Sequence, residues 1–406
     1  MELLSPAGTL EKLRYAYAYG ADAAYMGMHN FSLRTKAGNI GPDDIAQLKR
    51  IKGEKKLYVA LNAYMHQMDI ELLKTKLDEI KAYPFDAFIV SDLGAAEVLK
   101  QHFGNELTLH LSTQANCLNS SAVKAYQSLG FKRIILGRET PLDEIKKIKD
   151  ANPTVELEVF VHGAMCMAYS GRCFLSAFMA DRSANQGDCA HSCRWNYRLL
   201  ERDVVLEEEK RPGEYYPIYE GDGYTTILSS KDLCMIDHLA ELKAAGIDSL
   251  KIEGRMKSLY YVATTTRAYR KAIDAVLGKK GTEDWPLYRD ELFRVSHREF
   301  STGFFFDSQE IDMPTQTSYV RDYLLVGTIG TQVEKNTYQL FLKNKISTSQ
   351  MIEYIGPTVL SIADDSFELI DEEGVLLQEA NHHQKVLIRT TVPLSEGFIV
   401  RRAQKA

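Results

Sequence analysis

Residues 87–112 read AFIVSDLGAAEVLKQHFGNELTLHLS, one full repeat of the pattern that determines the fold. The apolar run Ala87–Ser91 is followed by the amphipathic segment Leu93–Phe103 and by a second apolar run, Leu107–Ser112. Short apolar runs bounded by turn residues are typical of buried strands, whereas apolar residues three and four apart predict a helix. This stretch therefore predicts a strand–helix–strand unit, and helical crossovers of this kind join parallel strands.

The same alternation extends over the first 254 residues. The predicted strands are Glu2–Ser5, Ala23–Gly27, Leu57–Leu61, Ala87–Ser91, Leu107–Ser112, Arg133–Gly137, Val155–His162 and Ser249–Glu253. The predicted helices are Thr9–Tyr19, Pro42–Ile51, Ile70–Ala82, Leu93–Phe103, Ser121–Leu129, Leu142–Asp150, Lys231–Ala245 and Ser258–Val276. Eight such units match an α/β fold of the (β/α)8 TIM-like barrel type. An open doubly wound sheet is the competing architecture, but no Gly-x-Gly-x-x-Gly motif opens the first strand–helix turn.

One connection is much longer than the others, because residues 163–230 separate the seventh strand from the next predicted helix. Connections between strands and helices usually have about two to six residues. In a barrel these loops lie at the carboxyl ends of the strands, where active sites are built. We therefore predict a barrel over 1–280 with this Cys-rich insertion, a linker over 281–320, and a small all-β domain over 321–406, where short apolar runs alternate with turn residues.

The composition is that of a globular protein, with 45% hydrophobic and 26% charged residues. No apolar run of about 18 residues predicts a membrane span. The first residues lack a basic segment followed by an apolar one, so we expect no signal peptide and a cytoplasmic location. The net charge of −6 gives no bulk signal for a nucleic-acid binder.

Four of the six cysteines fall within the insertion, in the spacing Cys-x6-Cys-x15-Cys-x3-Cys: Cys166, Cys173, Cys189 and Cys193. Clustered thiolates in a reducing compartment indicate a metal or redox site, and soft thiolate ligands suit zinc or an iron–sulfur cluster. The wide first spacing favours iron–sulfur over zinc. The alternative is four reduced cysteines that act as small hydrophobes. Cys234 is a reserve ligand, and Cys117 is expected to pack in the core.

Residues 158–176 read EVFVHGAMCMAYSGRCFLS, and further motifs are ELLSPAG at 2–8, QGDC at 186–189, CRW at 193–195 and KIEGRMKS at 251–258. Together they resemble the signature of the collagenase-like peptidase family of unassigned catalytic type. The resemblance covers about the first 310 residues. Residues 211–233 and the C-terminal β module are most similar to the branch of this family that hydroxylates the wobble uridine of tRNA.

The resemblance implies a barrel that holds an oxygen-sensitive [4Fe-4S] cluster on four cysteines. It also implies oxygen-independent formation of 5-hydroxyuridine in tRNA, with prephenate as the hydroxyl source. Relatives use slightly different sets of four cysteines, so the fourth ligand is either Cys193 or Cys234. Whether a related subunit is a partner stays open, and no membrane partner is expected.

Polar side chains that directly follow the barrel strands are candidates for the active site, because they face substrate in this fold. They are Ser5, Asn62, Asp92, Ser112, Gln114, Asn116, Arg138, Glu139, His162, Glu253 and Arg255. As catalytic residues we predict His162 as a proton shuttle, Glu253 as a general base or substrate anchor, and Arg255 as a ligand of a dicarboxylate, a role for which Arg138 is the alternative. As substrate-binding residues we predict Asn62, Gln114, Asn116 and Arg138.

Each of these candidates also has an ordinary structural interpretation. The amides of Gln114 and Asn116 can read the edge of a base or cap the next helix. The Arg–Glu pairs can be salt bridges, and His162 can be a buried histidine with satisfied hydrogen bonds. Residues 5–8 are expected to form a tight turn. The basic residues Arg267, Arg270 and Lys271 share one helical face, which is either an RNA-phosphate stripe or a solvated surface.

Three other functions compete with tRNA hydroxylation. A collagenase-like peptidase lacks support, because the sequence contains neither His-Glu-x-x-His nor Gly-x-Ser-x-Gly. A Cys166–His162 nucleophile pair is conceivable, but a thiolate bound to iron cannot also attack a carbonyl. The remaining alternatives are a hydroxylase of ribosomal RNA cytidine or of the ubiquinone pathway, and a zinc-stapled RNA-binding scaffold.

Overall fold

Eight parallel strands form a closed barrel in this computed structural model. The structure describes residues 1–28, 31–32, 40–166, 168–173, 175–194, 206–207, 215–216, 219–221, 224–226, 230–306 and 319–404. The barrel strands are β1 (Glu2–Pro6), β2 (Ala23–Gly27), β3 (Lys56–Leu61), β4 (Ala87–Val90), β5 (Leu109–Leu111), β6 (Phe131–Ile135), β7 (Glu156–Ala164) and β8 (Ser249–Ile252). Each strand pairs with the next, and β8 pairs in parallel with both β7 and β1, which closes the ring. The predicted TIM-like barrel is confirmed, and the open sheet is excluded.

Helices follow the strands in the expected order. They are α1 (Leu10–Ala18), α2 (Ile45–Lys52), α3 (Gln67–Lys81), α4 (Leu93–Phe103), α5 (Ser120–Ser128), α6 (Leu142–Ala151), α7 (Leu175–Ala180), α8 (Leu239–Ala244), α9 (Leu259–Val276) and α10 (Trp285–Asp290). The bounds of α4 match the prediction, because the Asp92 carboxylate caps its first turn by accepting from Ala95 N at 2.9 Å. Gly104, with φ +55°, ends it. Among the described helices none is long and apolar enough to cross a bilayer.

A short strand, Asp232–Cys234, stands where the sequence predicts the start of a helix over Lys231–Ala245. This prediction is wrong in its first half: the strand pairs antiparallel with the end of β7, and only Ile236–His238 and α8 are helical. The Asp232 carboxylate accepts two bonds from the buried Arg298 guanidinium, at 2.7 and 3.0 Å. These tertiary partners outweigh the local helical pattern. We call Asp232–Cys234 the rim strand.

Four charged side chains lie inside the barrel and form the interior charge cluster: Glu2, Arg133, Glu158 and Lys251. Glu158 accepts from Lys251 Nζ at 2.8 Å and from Arg133 Nη1 at 3.1 Å, and its side chain is fully buried. Arg133 Nη1 also lies 2.5 Å from Glu2 Oε1. The four residues come from β1, β6, β7 and β8, so the cluster joins the strands on both sides of the closure.

The C-terminal module is all-β, as predicted. Its eight-stranded sheet contains β9 (Tyr323–Glu334), β10 (Thr337–Leu342), β11 (Ile352–Ile355), β12 (Ile362–Asp364), β13 (Glu368–Ile370), β14 (Leu376–Leu377), β15 (Lys385–Arg389) and β16 (Ile399–Ala403). Short pairs also join Ile346–Ser347 to Glu379–Ala380, and in the barrel unit the rim strand to Phe300–Ser301. Within the insertion, Leu206–Glu207 pairs with Tyr215–Tyr216, and Tyr219–Gly221 with Tyr224–Thr226. Arg401 of β16 is fully buried and bonds to the carboxylates of Glu291 and Glu353.

The basic face of α9 does not form a phosphate-binding stripe. Arg267 is 1% exposed, and its guanidinium donates to the carbonyl oxygens of Gly356 and Val359. Arg270 pairs with Asp274 at 2.5 Å, and Lys271 lies 3.5 Å from Asp284. Helical periodicity placed these residues on one face correctly, but that face packs within the C-terminal unit.

The chain divides into two compact units. The first comprises Met1–Tyr17, Asp22–Lys257 and Arg298–Ser318, and the second comprises Ala18–Ala21, Ser258–His297 and Tyr319–Ala406. Helix α9 therefore groups with the C-terminal module, although its sequence continues the β/α alternation. The predicted domain bounds at 280 and 320 stay predictions.

Replacing Glu2 with Gln is expected to make the free energy of unfolding less dependent on pH in the acidic range. Burial raises the pKa of Glu2, but the hydrogen bond and charge of Arg133 outweigh it and hold this pKa below its ordinary value. Glu2 therefore stabilises the fold above its unfolded pKa of about 4.3, and the contribution is lost as the pH falls through the lower folded value. Urea unfolding between about pH 2.5 and 5 should give a shallower slope for Glu2→Gln than for the wild type. Glu97→Gln, at an exposed site, is the control, and equal slopes for Glu2→Gln and the wild type would contradict the role of Arg133.

Candidate active site at the carboxyl ends of the barrel strands

Arg138 and Glu253 face each other at the carboxyl ends of β6 and β8. Arg138 Nη2 lies 4.0 Å from Glu253 Oε2, and its Nη1 donates to the carbonyl oxygen of Ala164 at 3.2 Å. The Arg138 side chain is 12% exposed, and its Nε is buried with no hydrogen-bond partner among the described residues. A buried donor of this kind favours a ligand that can accept from it. The sequence pattern pairs Arg138 with Glu139 and Glu253 with Arg255, so this contact between Arg138 and Glu253 is not one that it predicts.

The aromatic residues Phe160 and Tyr25 contact Arg138 and Glu253. The Arg138 guanidinium lies 4.1 Å from the centre of the Phe160 ring, and Lys251 Nζ lies 5.3 Å from the same ring. Tyr25 donates from its hydroxyl to Glu253 Oε2 at 3.3 Å and to the carbonyl oxygen of Ile252 at 2.9 Å. Lys251 also lies 4.5 Å from the Tyr25 ring, so the interior charge cluster reaches the base of the site. Burial lowers the pKa of Lys251, against the opposing effect of the Glu158 carboxylate.

The amide-rich loop after β5 contains a short helical turn, Thr113–Ala115. Ser112 Oγ caps this turn by accepting from Gln114 N at 3.3 Å, and Asn62 Nδ2 approaches the same oxygen at 3.5 Å. The Gln114 side-chain oxygen Oε1 and the Asn116 oxygen Oδ1 are buried without hydrogen-bond partners among the described residues. Helix α5 is capped by Asn119, whose Oδ1 accepts from Ala122 N at 2.9 Å, so the two predicted amides do not cap it and keep buried acceptors.

His162 and Arg255 are both buried, whereas a catalytic group must be accessible to substrate. His162 is 1% exposed, sits opposite Cys234 of the rim strand, and lies 5.3 Å from Phe300 between ring centres. Arg255 is 4% exposed, and its Nη1 donates to Ser32 Oγ at 3.3 Å. A Cβ on Gly27 would come 1.9 Å from that nitrogen, so only glycine leaves room for the arginine. The catalytic roles of both residues stay predictions.

The other strand-end candidates have local partners. Ser5 is fully buried and belongs with Pro6 to β1 rather than to the expected turn, and Ala7 N continues the pairing with β2 by donating to the carbonyl oxygen of Tyr25 at 2.9 Å. Asp92 caps α4. Glu139 accepts from both the backbone nitrogen and the hydroxyl of Ser170 at 2.5 Å. Glu139 thereby anchors the cysteine segment, by which we mean residues 163–194, to the barrel.

The cysteine segment is attached to the site at a second point. Arg172 donates two hydrogen bonds to the carbonyl oxygen of Gln114, at 2.9 and 3.2 Å, and lies 5.7 Å from the Tyr64 ring. Within the segment, Cys173 N donates to Asn185 Oδ1 at 3.1 Å, and Ala190 N to Ser176 Oγ at 2.8 Å. The cysteine-bearing loop is therefore folded against the predicted substrate loop.

The four clustered cysteines are free thiols; Cys166 is exposed, and Cys173, Cys189 and Cys193 are half-buried. Four thiols are a suitable donor set for an iron–sulfur cluster. However, no group of three or more His, Cys, Asp or Glu side chains in the described ranges is close enough to hold a metal ion. The donor set fits in kind and number, but its placement does not. Cys117 is buried, burial raises its pKa to about 11, and it packs in the core as expected.

Family models match both units of the sequence. The model described as peptidase family U32 matches residues 8–314, and the model of the peptidase family U32 C-terminal domain matches residues 321–401. The chain belongs to peptidase family U32. The predicted family resemblance is thereby confirmed.

Relatives within family U32 carry different names. The chain is 36% identical to tRNA hydroxylation protein P of Escherichia coli over 396 residues, which cover 88% of this chain and 86% of the relative. It is 34% identical over 395 residues to tRNA hydroxylation protein P1 of Bacillus subtilis, with 95% and 90% covered. It is also 33% identical over 319 residues to a collagenase of Porphyromonas gingivalis, with 75% and 73% covered.

Tyr25, Lys251 and Ser170 are the site residues that the strand-end rule does not find. Tyr25 and Lys251 lie within strands rather than after them, and Ser170 meets Glu139 from the insertion. A lysine inside the short strand β8, which reads SLKI, is the one signal that sequence inspection offers, because a buried cation needs a partner.

Replacing Glu139 with Ala is expected to loosen the cysteine segment. The carboxylate holds two hydrogen bonds from Ser170, whose φ of +44° is unfavourable for a residue with a side chain. Amide hydrogen exchange of a peptide spanning residues 166–173 should accelerate by about tenfold or more, as expected for loss of a hydrogen bond to a charged group. Glu144→Ala, which removes an exposed carboxylate, should leave this peptide unchanged. Unchanged exchange in Glu139→Ala would contradict the anchoring role.

Proposed function

We propose that this chain is an RNA-modifying hydroxylase that converts a uridine of tRNA to 5-hydroxyuridine. Two observations support the proposal. The chain is more than one-third identical, over most of its length, to a protein named for tRNA hydroxylation. At the carboxyl ends of the barrel strands, the Nε of Arg138 and the side-chain oxygens of Gln114 and Asn116 are also buried without hydrogen-bond partners among the described residues. Arg138 is the observation that carries the proposal, because its buried Nε has no hydrogen-bond partner among the described residues and therefore favours an anionic or carbonyl ligand.

Arg138 is the residue that we propose for a small carboxylate co-substrate. Replacing the hydrogen on C5 of uracil by a hydroxyl group requires an oxygen donor and an acceptor of electrons. The family resemblance gives prephenate as the donor, and its carboxylates match a guanidinium. Glu253 is oriented by Tyr25 and lies 4.0 Å from Arg138, where it can take up or release a proton beside a bound carboxylate.

We propose that Cys166, Cys173, Cys189 and Cys193 hold a [4Fe-4S] cluster. When bound, such a cluster supplies one-electron transfer. Supporting this proposal are the four free thiols and the two attachments of their segment to the substrate loop and to Glu139. The described placement does not gather the thiols, so the proposal includes their movement toward a common centre on iron binding. Cys234, on the rim strand, stays the alternative fourth ligand.

Peptidase activity has weaker support, although one relative is named a collagenase. The histidine of the conceivable Cys166–His162 pair is 1% exposed and lies in the strand ladder, where it is poorly placed to activate a nucleophile in a cleft. The experiments below separate the proposal from two other functions, a zinc-stapled scaffold and a hydroxylase of rRNA or of the ubiquinone pathway. A related partner subunit stays a prediction. A cytoplasmic location, where tRNA is found, belongs to the same proposal.

Purification under anaerobic conditions should give brown protein with about four iron atoms per chain, as expected for one [4Fe-4S] cluster. Single Cys→Ser substitutions at 166, 173, 189 and 193 should each lower the iron content, because a cluster needs all four thiolates. Cys117→Ser is the matched control and should keep its iron. Loss of iron in Cys234→Ser but not in Cys193→Ser would reassign the fourth ligand. Colourless protein with zinc would refute the cluster.

Mass spectrometry of tRNA nucleosides tests the reaction. A strain that lacks this chain should lose 5-hydroxyuridine derivatives, and wild-type protein should restore them. Arg138→Met should restore much less, because methionine keeps the packing on Phe160 but cannot bind a carboxylate. Arg50→Met, which removes an exposed arginine at the end of α2, is the control. Unaltered tRNA in the deletion strain would overturn the proposed substrate.

A further inference from the structure

Tyr169 presents an aromatic ring to solvent beside the candidate active site. It is 51% exposed and lies in the cysteine segment between Cys166 and Cys173. Single exposed apolar side chains are common on protein surfaces, so exposure alone indicates nothing. The backbone around this ring and its neighbours are what distinguish it.

The backbone next to Tyr169 is held in an unfavourable conformation. Ser170 has φ +44° and ψ +32°, a left-handed conformation that residues with side chains seldom adopt. Both polar groups of Ser170 are bound by the Glu139 carboxylate at 2.5 Å. Gly137 allows this approach, since a Cβ there would lie 3.1 Å from Ser170 Oγ and 2.4 Å from Leu118 Cδ2. The position of Tyr169 is therefore determined by specific contacts.

The turn that carries Tyr169, Tyr169–Gly171, lies beside the turn Thr113–Ala115 that carries Gln114. Arg172 fastens the two turns through its bonds to the Gln114 carbonyl oxygen. Gln114 is 9% exposed, and its side-chain oxygen has no hydrogen-bond partner among the described residues. A buried amide oxygen without a partner is costly, so this group favours a ligand that donates to it.

We infer that Tyr169 and Gln114 form a nucleobase subsite, in which the Tyr169 ring stacks on the base and the Gln114 amide bonds to its edge. An amide both donates and accepts, as the edge of a base does, and aromatic rings stack on any base. Arg172, a cation beside this subsite, is already bonded to the Gln114 carbonyl oxygen. The inference rests on the proposed function, because it assumes an RNA substrate.

The test compares two RNA stem-loops for binding to the full-length protein. One contains the uridine that the tRNA mass spectrometry identifies as modified, and the other has an abasic ribose at that position. For the first, Tyr169→Ala should raise the dissociation constant on the order of tenfold, the size expected for one base stacked on an aromatic ring. For the abasic stem-loop the same substitution should have almost no effect. Tyr169→Phe should bind both stem-loops like the wild type, because stacking needs the ring and not the hydroxyl.

Leu129→Ala is the matched control, since Leu129 is exposed at the opposite end of the barrel, between α5 and the start of β6. Glu139→Gln keeps the ring but weakens its support, and should weaken uridine binding less than Tyr169→Ala does. An equal loss for both stem-loops, or no loss for Tyr169→Ala in an enzyme that modifies tRNA, would overturn the subsite alone. Absence of any modified tRNA would instead overturn the proposed function.

Discussion

The Glu158 carboxylate, bound by Lys251 and Arg133 inside the barrel, is the interaction on which the rest of the structure depends. A fully buried carboxylate is tolerated only with such partners, and removing one partner of a buried pair typically costs about 3–5 kcal/mol. The partners come from β8 and β6, while Glu2 adds β1. The same contacts that neutralise the charges therefore hold the last strand between β7 and β1, where the barrel closes.

The candidate site is built directly on this cluster. Lys251 contacts the rings of Tyr25 and Phe160, and these two rings in turn orient Glu253 and stack on Arg138. A change in the charge of the interior charge cluster would therefore affect Arg138 and Glu253, although the cluster itself does not contact the substrate. Stability and activity share residues in this fold, which limits how freely either can vary.

The barrel could be predicted from the sequence because apolar runs and amphipathic helices alternate with few interruptions. Helix α4 was predicted to the residue, since both its cap at Asp92 and its stop at Gly104 are local signals. The rim strand was not predicted, because its stability comes from β7 and Arg298, which are distant in sequence. The face of α9 was grouped correctly, but periodicity does not reveal which face is buried, and Arg267 proved to be internal.

For the site, the rule that polar residues after barrel strands face the substrate located Arg138, Glu253 and Gln114. It could not locate Tyr25 or the Ser170–Glu139 contact, because these arise only when separate segments meet in space. The cysteines show the same limit of prediction from sequence. Their spacing in the sequence suggests shared ligation, but the distance between their sulfur atoms depends on how the whole loop folds.

The ladder between β7 and the rim strand also has a consequence for how this fold can diversify. Gly163 lies opposite Leu233, so the chain leaves the barrel and returns to it at neighbouring points. The connection between them is closed by a short antiparallel stem, and lengthening a connection whose ends are held together costs little conformational entropy. Such a stem allows the length of this connection to change while the pairing of the barrel strands stays the same.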